Sequence, residues 1–106
     1  MQKKVDASKV AFSIYSEPIF KGKKGTIMFA NPRYSAHNLD LEVRVDNKVI
    51  IKTEKISPDQ YIKDIELIGK ALKKGKHKVV ASIKAYDKKT GDLVGEVAVD
   101  MLITSK

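Results

Sequence analysis

Few side chains in this sequence could carry out catalysis. A nucleophilic mechanism needs a Ser, Thr or Cys that is activated by a base, and the base must itself be held in place. The histidines are His37 and His77, there is no cysteine, and no Gly-x-Ser-x-Gly turn presents a serine. His37 lies in the polar stretch 34–38, where we expect its ring to be solvated. We therefore predict that the chain is not an enzyme.

The acidic side chains do not predict a metal site. Asp40 and Glu42 share one face of a predicted strand with Arg44, which indicates a solvated face of mixed charge. Asp87 and Asp92 flank a loop that could offer oxygens to calcium. Calcium needs about six or more oxygen ligands, however, and two lysines lie between these carboxylates. The two histidines lack a third ligand at a zinc-binding spacing, so we expect neither a metal ion nor a cofactor.

Positive charge is the strongest chemical signal in the sequence. The chain has 21 Lys and Arg against 13 Asp and Glu, a net charge of +8, and only Arg33 and Arg44 are arginines. Proteins that recognise nucleic acid depend on arginine, whose planar guanidinium group donates two aligned hydrogen bonds. A lysine-rich surface instead favours solubility or loose attraction to an anionic polymer or membrane surface. The lysine clusters also lack the aromatic residues on which single-stranded nucleic acid stacks. Nucleic acid is therefore a disfavoured partner.

The candidate contact residues lie where we expect connections between strands, because binding loops often lie at the ends of a sheet. One basic cluster is 21–24 and the other is 70–78. Tyr34 is the aromatic residue of a polar loop and follows Arg33, and the alternative role for its ring is to cover the rim of the fold. The candidate contact residues are Lys21, Lys23, Lys24, Arg33, Tyr34, Lys73, Lys74 and Lys76.

Length and composition predict one small domain that spans residues 1–106. An apolar fraction of 42% is enough for a single packed core. The absence of cysteine excludes disulfides and Cys-containing zinc sites. No apolar run reaches the ~18 residues of a membrane span, and no signal-peptide pattern is visible at the start of the sequence. We expect residues 1–8 to be flexible.

Alternation of apolar and polar residues with a period of two predicts two hairpins. Residues 38–46 alternate strictly, turn at Asp46-Asn47 and return through 48–53. Asp and Asn suit such a turn because they tolerate positive φ. Residues 77–86 and 93–104 make a second, longer hairpin.

Three further segments complete the predicted fold. Residues 10–15 and 26–30 have the pattern of short strands, with Pro18 and Pro32 near their ends. Residues 61–67 have both strand and helix spacings, and we favour a strand because the neighbouring segments are strands. Seven short strands separated by turn residues predict an all-β chain. We expect an immunoglobulin-like β-sandwich of about seven antiparallel strands, with a small barrel as the alternative.

A pattern of strands and turns runs through the segments 64–67, 72–77, 85–87 and 90–91 of the C-terminal half. It resembles the final strands of immunoglobulin-like modules in surface and lipid-anchored proteins of Gram-positive bacteria. His77 stands where those modules commonly have tyrosine. A tyrosine corner uses the polar tip of the ring to bond backbone across a loop. The resemblance implies an immunoglobulin-like fold, a location at the cell surface, and a structural corner role for His77.

These observations lead us to expect a non-catalytic binding or spacer module that is extracellular or at the bacterial cell surface. Its partner would be a protein, an anionic wall polymer or a membrane surface. The alternative is a basic cytosolic or phage-borne protein that binds nucleic acid through charge alone. A carbohydrate-binding module is disfavoured because the sequence has no Trp to stack on a sugar ring.

Overall fold

The computed structural model describes residues 10–106, and the segment 1–8 that we expect to be flexible lies outside this range. The described residues form strands and no helix, so the prediction of an all-β chain is confirmed. The strands are β1 (Ile19–Lys21), β2 (Lys24–Asn31), β3 (His37–Val45), β4 (Lys48–Lys52), β5 (Gln60–Glu66), β6 (Gly75–Asp87) and β7 (Leu93–Ser105).

The seven strands form one curled, mixed sheet in the order β4-β3-β6-β7-β1-β2-β5. Neighbouring strands are antiparallel with one exception, because β1 runs parallel to β7, with Ile19 beside Thr104 and Phe20 beside Ser105. The prediction of antiparallel strands throughout is therefore wrong at this pair. The physical reason is that β1 lies between β7 and β2. It runs in the same direction as β7, and the chain reverses direction only at the turn from β1 to β2. A strand of three residues is also too short to show an alternating pattern.

Both predicted hairpins are present. In the turn between β3 and β4, Asp46 and Asn47 have φ values of 49° and 65°, the left-handed region that a tight two-residue turn requires. The pairing of β6 with β7 runs from Gly75 opposite Ser105 to Tyr86 opposite Leu93. This long ladder forms the centre of the sheet.

The predicted strand at residues 10–15 is wrong as a continuous element. It forms an isolated bridge in which the backbone amide of Ser13 donates to Ala30 O at 3.1 Å. The chain then leaves β2 for β7, where Leu102 N donates to Ser16 O at 2.9 Å and Thr104 N donates to Pro18 O at 3.0 Å. Ser13 bonds to Ala30, but Tyr15 N donates to Ile27 O at 2.9 Å, three residues away along β2. This segment therefore makes no regular ladder with β2, whose register shifts between Thr26 and Phe29.

The core lies on the concave side of the curled sheet, where the predicted apolar faces of the neighbouring strands β3 and β6 lie side by side. Leu41 stands opposite Ile83 and Val43 opposite Ala81, and all four are fully buried. The two edges of the sheet also approach each other, since Ile68 N, just after β5, donates to Ile50 O of β4 at 2.8 Å. The fully buried aromatic rings are those of Phe20 and Phe29.

Candidate functional site

The two basic clusters of the sequence meet at one end of the sheet. Ser105, at the end of β7, lies opposite Gly75 of β6 on one side and Phe20 of β1 on the other. The turn from β1 to β2 and the start of β6 therefore share an end with the last residues of β7. Lys21 and Lys24 face each other at that turn, and Lys76 follows Gly75.

Hydrogen bonds hold the connection 67–74 against the same end. Leu67 N donates to Lys23 O at 2.7 Å, and Ser105 Oγ donates to Leu72 O at 3.0 Å. Leu67 is buried, so it anchors the start of this connection. We call this surface the lysine-rich end and define it by Lys21, Lys23, Lys24, Lys70, Lys73, Lys74, Lys76 and Lys106, all of which are exposed.

Lysines outnumber carboxylates at the lysine-rich end. The segments 19–25, 64–76 and 104–106 contain eight lysines and two acidic side chains, Asp64 and Glu66, and Glu66 stands opposite Lys24 in the ladder. None of the eight lysines makes an ion pair within residues 10–106. Neighbouring lysines without ion-pair partners repel one another, and a nearby anion lowers this electrostatic repulsion. This surface therefore concentrates anions around it.

Two apolar side chains lie exposed among these lysines. Ile19 of β1 is 49% exposed and Ile68 of the connection 67–74 is 53% exposed. A depression of about 620 Å³ beside Ile19 is lined by lysines, but also by Asp64 and Glu66. Asp64 accepts a hydrogen bond of 2.6 Å from Thr26 Oγ1. The carboxylates make this depression a poor anion site, which leaves the outward face of the lysine-rich end as the candidate.

The structure does not bring Arg33 and Tyr34 to the lysines. They lie in the connection from β2 to β3, near the point where His37 stands opposite Asp87 at the far end of β6. A strand of thirteen residues separates the two ends by about 40 Å. The Tyr34 ring is 84% exposed and does not cover the rim, and Arg33 makes only a long contact of 3.8 Å with Asp59.

The two histidines are also separated. His37 stands beside the end of β6 and His77 beside its start, about 30 Å apart along the strand. The prediction of a solvated His37 ring is wrong, because the residue is half-buried and its Nδ1 is buried. The half-buried ring of His77 places Nε2 2.6 Å from Lys73 O. In the tautomer that carries the proton on Nε2, the ring donates to that carbonyl and ties the lysine-bearing connection to β6. The structural corner role of His77 stays a prediction.

The mixed-charge face predicted on β3 contains a polar cluster that the sequence pattern does not reveal. Tyr86 Oη donates to Asp40 Oδ2 at 2.7 Å, and Lys55 Nζ lies 4.0 Å from the centre of the Tyr86 ring. Burial of the phenol, and then the hydrogen bond and charge of Asp40, raise the pKa of Tyr86 far above its ordinary value. Glu42 Oε2 nearby accepts from Arg44 Nε at 3.0 Å. A predicted register between β3 and β6 would have placed the Tyr86 hydroxyl within hydrogen-bond distance of Asp40.

No group of three His, Asp or Glu side chains in residues 10–106 is placed to hold a metal ion. The same part of the chain has no helix with the length and apolar character needed to cross a bilayer. Comparison of the chain with protein-family models, with curated proteins and with solved structures finds no match.

Proposed function

We propose that this chain is a non-catalytic binding module of the bacterial cell surface whose lysine-rich end attaches to a polyanionic surface. The observation that carries the proposal is the convergence of two basic clusters, distant in sequence, on one end of the sheet without ion-pair partners. Charge gathered in this way acts on an extended anionic partner through its field and does not need a shaped pocket.

The proposed fold is an immunoglobulin-like β-sandwich, and the strand order supports it. One layer would be β4-β3-β6-β7 and the other β2-β5, joined by the short strand β1. In immunoglobulin domains the strands divide in a similar way between two sheets that enclose one core. Asn31 of β2 supports the contact between the layers, because its buried Nδ2 donates to His37 O of β3 at 2.8 Å.

A binding role is favoured over catalysis by the positions of the two histidines. A general base needs a nucleophile or a substrate within hydrogen-bond reach. The ring of His77 is engaged with Lys73 O, and His37 lies at the other end of the sheet. The cationic groups at the lysine-rich end are ammonium groups on flexible stems, which attract anions through charge.

Attachment to an anionic polymer or surface is favoured over sequence-specific nucleic-acid binding by the residues that the lysine-rich end lacks. Its defining residues include no arginine and no aromatic ring, whereas Arg33 and Tyr34 lie about 40 Å away. Base stacking and bidentate contacts would need those residue types beside the lysines.

Neutralising two neighbouring lysines tests the proposal. We expect Lys73→Gln/Lys74→Gln to weaken binding to inorganic polyphosphate by about tenfold at 0.05 M salt, and we expect binding by the parent chain to fall steeply by about 0.3 M salt. The matched control is Lys88→Gln/Lys89→Gln, which removes the same charge from the turn between β6 and β7 at the other end. The control should bind polyphosphate nearly as the parent chain does.

Equal losses in the two variants would mean that the net charge alone, and not the lysine-rich end, drives binding. Tight binding of one DNA sequence that survives about 0.3 M salt would instead favour the nucleic-acid alternative. Isothermal titration at several salt concentrations, with polyphosphate and with a mixed-sequence DNA duplex as probes, separates these outcomes.

A further inference from the structure

We infer that the polyanionic surface recognised by the lysine-rich end is an anionic lipid bilayer, into whose headgroup region Ile68 inserts. This inference rests on the proposed function and deepens it, since it names the partner of the same surface. The observation behind it is an exposed apolar side chain, Ile68, in the connection that carries three lysines of the lysine-rich end.

Two hydrogen bonds hold the backbone that leads into Ile68. Leu67 N donates to Lys23 O at 2.7 Å and Ile68 N donates to Ile50 O at 2.8 Å, so adjacent amides bond to two different parts of the sheet. Leu67 points into the core, and Gly69 turns the chain at a φ of 81°. Ile68 is therefore displayed at 53% exposure by an ordered backbone.

Several lysines lie close to Ile68 along the chain or are linked to it through the backbone. Lys70, Lys73 and Lys74 follow it in the same connection, and Lys23 is bonded through its carbonyl to the residue before it. Near an anionic leaflet each such charge adds to attraction, and the long lysine stem keeps its ammonium among the headgroups while a shorter apolar neighbour goes deeper. The same arrangement of charge around an apolar group defines peripheral membrane attachment in amphipathic segments.

An anionic bilayer interacts with both the lysines and the exposed Ile68 of this end, whereas a soluble polyanion interacts with the lysines alone. Polyphosphate, wall polymers and nucleic acids offer charge to the lysines but no apolar layer to Ile68. Ile19 is a second exposed apolar residue on this end, at 49% exposure, and it lies in β1 just before the turn of Lys21 and Lys24. The lysines also span the width from β1 to β6, which suits a flat partner better than a thread.

Vesicle binding by the full chain tests the inference. The probes are vesicles of phosphatidylcholine alone and vesicles with about 30% phosphatidylglycerol. We expect the parent chain to sediment with the anionic vesicles only. Ile68→Ser should weaken that binding by about fivefold. The matched control is Leu93→Ser, because Leu93 is also 53% exposed but lies at the other end of the sheet; it should bind as the parent chain does.

A fluorescence reporter gives a second measurement that does not depend on affinity. The chain has no tryptophan, so Ile68→Trp introduces a single tryptophan at the proposed insertion point and Leu93→Trp provides its control. We expect a blue shift on adding anionic vesicles for the Ile68 variant alone. No shift, together with unchanged vesicle binding by Ile68→Ser, would overturn the lipid inference.

Polyphosphate binding separates this inference from the proposed function. Ile68→Ser should leave polyphosphate binding unchanged, because that probe has no apolar layer. If Lys73→Gln/Lys74→Gln weakens polyphosphate binding while vesicles show no dependence on Ile68, the lysine-rich end is an anion-binding surface and the lipid inference is wrong. If that lysine variant weakens binding to neither probe, the proposed function is wrong as well.

Discussion

A single methyl group at Gly25 should destabilise the fold, because Gly25 lies against a buried aromatic ring. Gly25 of β2 stands opposite Phe20 of β1, whose side chain is fully buried. A Cβ on residue 25 would lie 2.5 Å from two carbons of the Phe20 ring and 2.7 Å from a third. Carbon atoms pack at about 3.5–4.0 Å, so the ring or the β1 strand must move by about 1 Å.

The magnitude of Gly25→Ala follows from two opposing effects. Overpacking a well-filled core costs about 1–3 kcal/mol. Gly25 does not have a positive φ, and an alanine there reduces the freedom of the unfolded chain, which stabilises by about 0.4–1 kcal/mol. We therefore expect Gly25→Ala to lower the free energy of unfolding by about 1–2 kcal/mol, measured by urea denaturation.

A double-mutant cycle with Phe20→Leu tests the cause of this loss. Phe20→Leu destabilises by itself, but it removes the ring carbons that the new methyl group meets. In that background Gly25→Ala should be neutral or stabilising, so the coupling free energy should be at least about 1 kcal/mol. Unchanged stability of Gly25→Ala, or additive effects in the cycle, would show that β1 does not pack against Gly25 as described.

Four further outcomes are expected. His77→Ala should lower stability by about 1–3 kcal/mol while His77→Tyr is tolerated; thermal melts in which Ala behaves as the parent and Tyr collapses would refute the corner role. Val43→Asp and Ile83→Asp should each abolish cooperative melting, since both side chains are fully buried and an unpaired carboxylate there costs several kcal/mol. The raised pKa of Tyr86 favours the neutral phenol in the folded state, so its contribution to the free energy of unfolding is present below pH ~10 and is lost above it. At alkaline pH, the free energy of unfolding should fall less steeply with pH for Tyr86→Phe than for the parent chain. Backbone amides of Thr90 and Lys89 lower the pKa of Asp87, so its contribution is present above pH ~4 and is lost in acid; acid unfolding of Asp87→Asn should lack that loss.

Strict alternation allowed the central strands and their buried faces to be predicted from sequence. Leu41 and Val43 on β3, and Ala81 and Ile83 on β6, are buried because a period of two places them on one face of a strand. The turn at Asp46 and Asn47 was equally predictable, since few other residue types tolerate two consecutive positive φ values.

The start of the chain was harder to predict because its hydrogen bonds are divided. Residues 10–15 alternate as a strand does, yet the segment exchanges hydrogen bonds first with β2 and then, from Ser16 onwards, with β7. A hydrophobic pattern reports which side chains are buried, and Val10 is buried. It does not report which strand supplies the backbone partner, so the switch between partners left no signal in the sequence.

The same limitation explains why both basic clusters could be found in the sequence but their convergence could not. Residues 21–24 and 70–78 meet because β1 lies beside the end of β7, whose other neighbour is the start of β6, and because the β2–β5 pair places Leu67 beside Lys23. That parallel pair rests on two register positions, Ile19 with Thr104 and Phe20 with Ser105, within a strand of three residues. The lysine-rich end is thus a property of the topology, because it depends on the pairing of β1 with β7 and of β2 with β5. An alternating pattern shows which side chains are buried but does not show which strands pair.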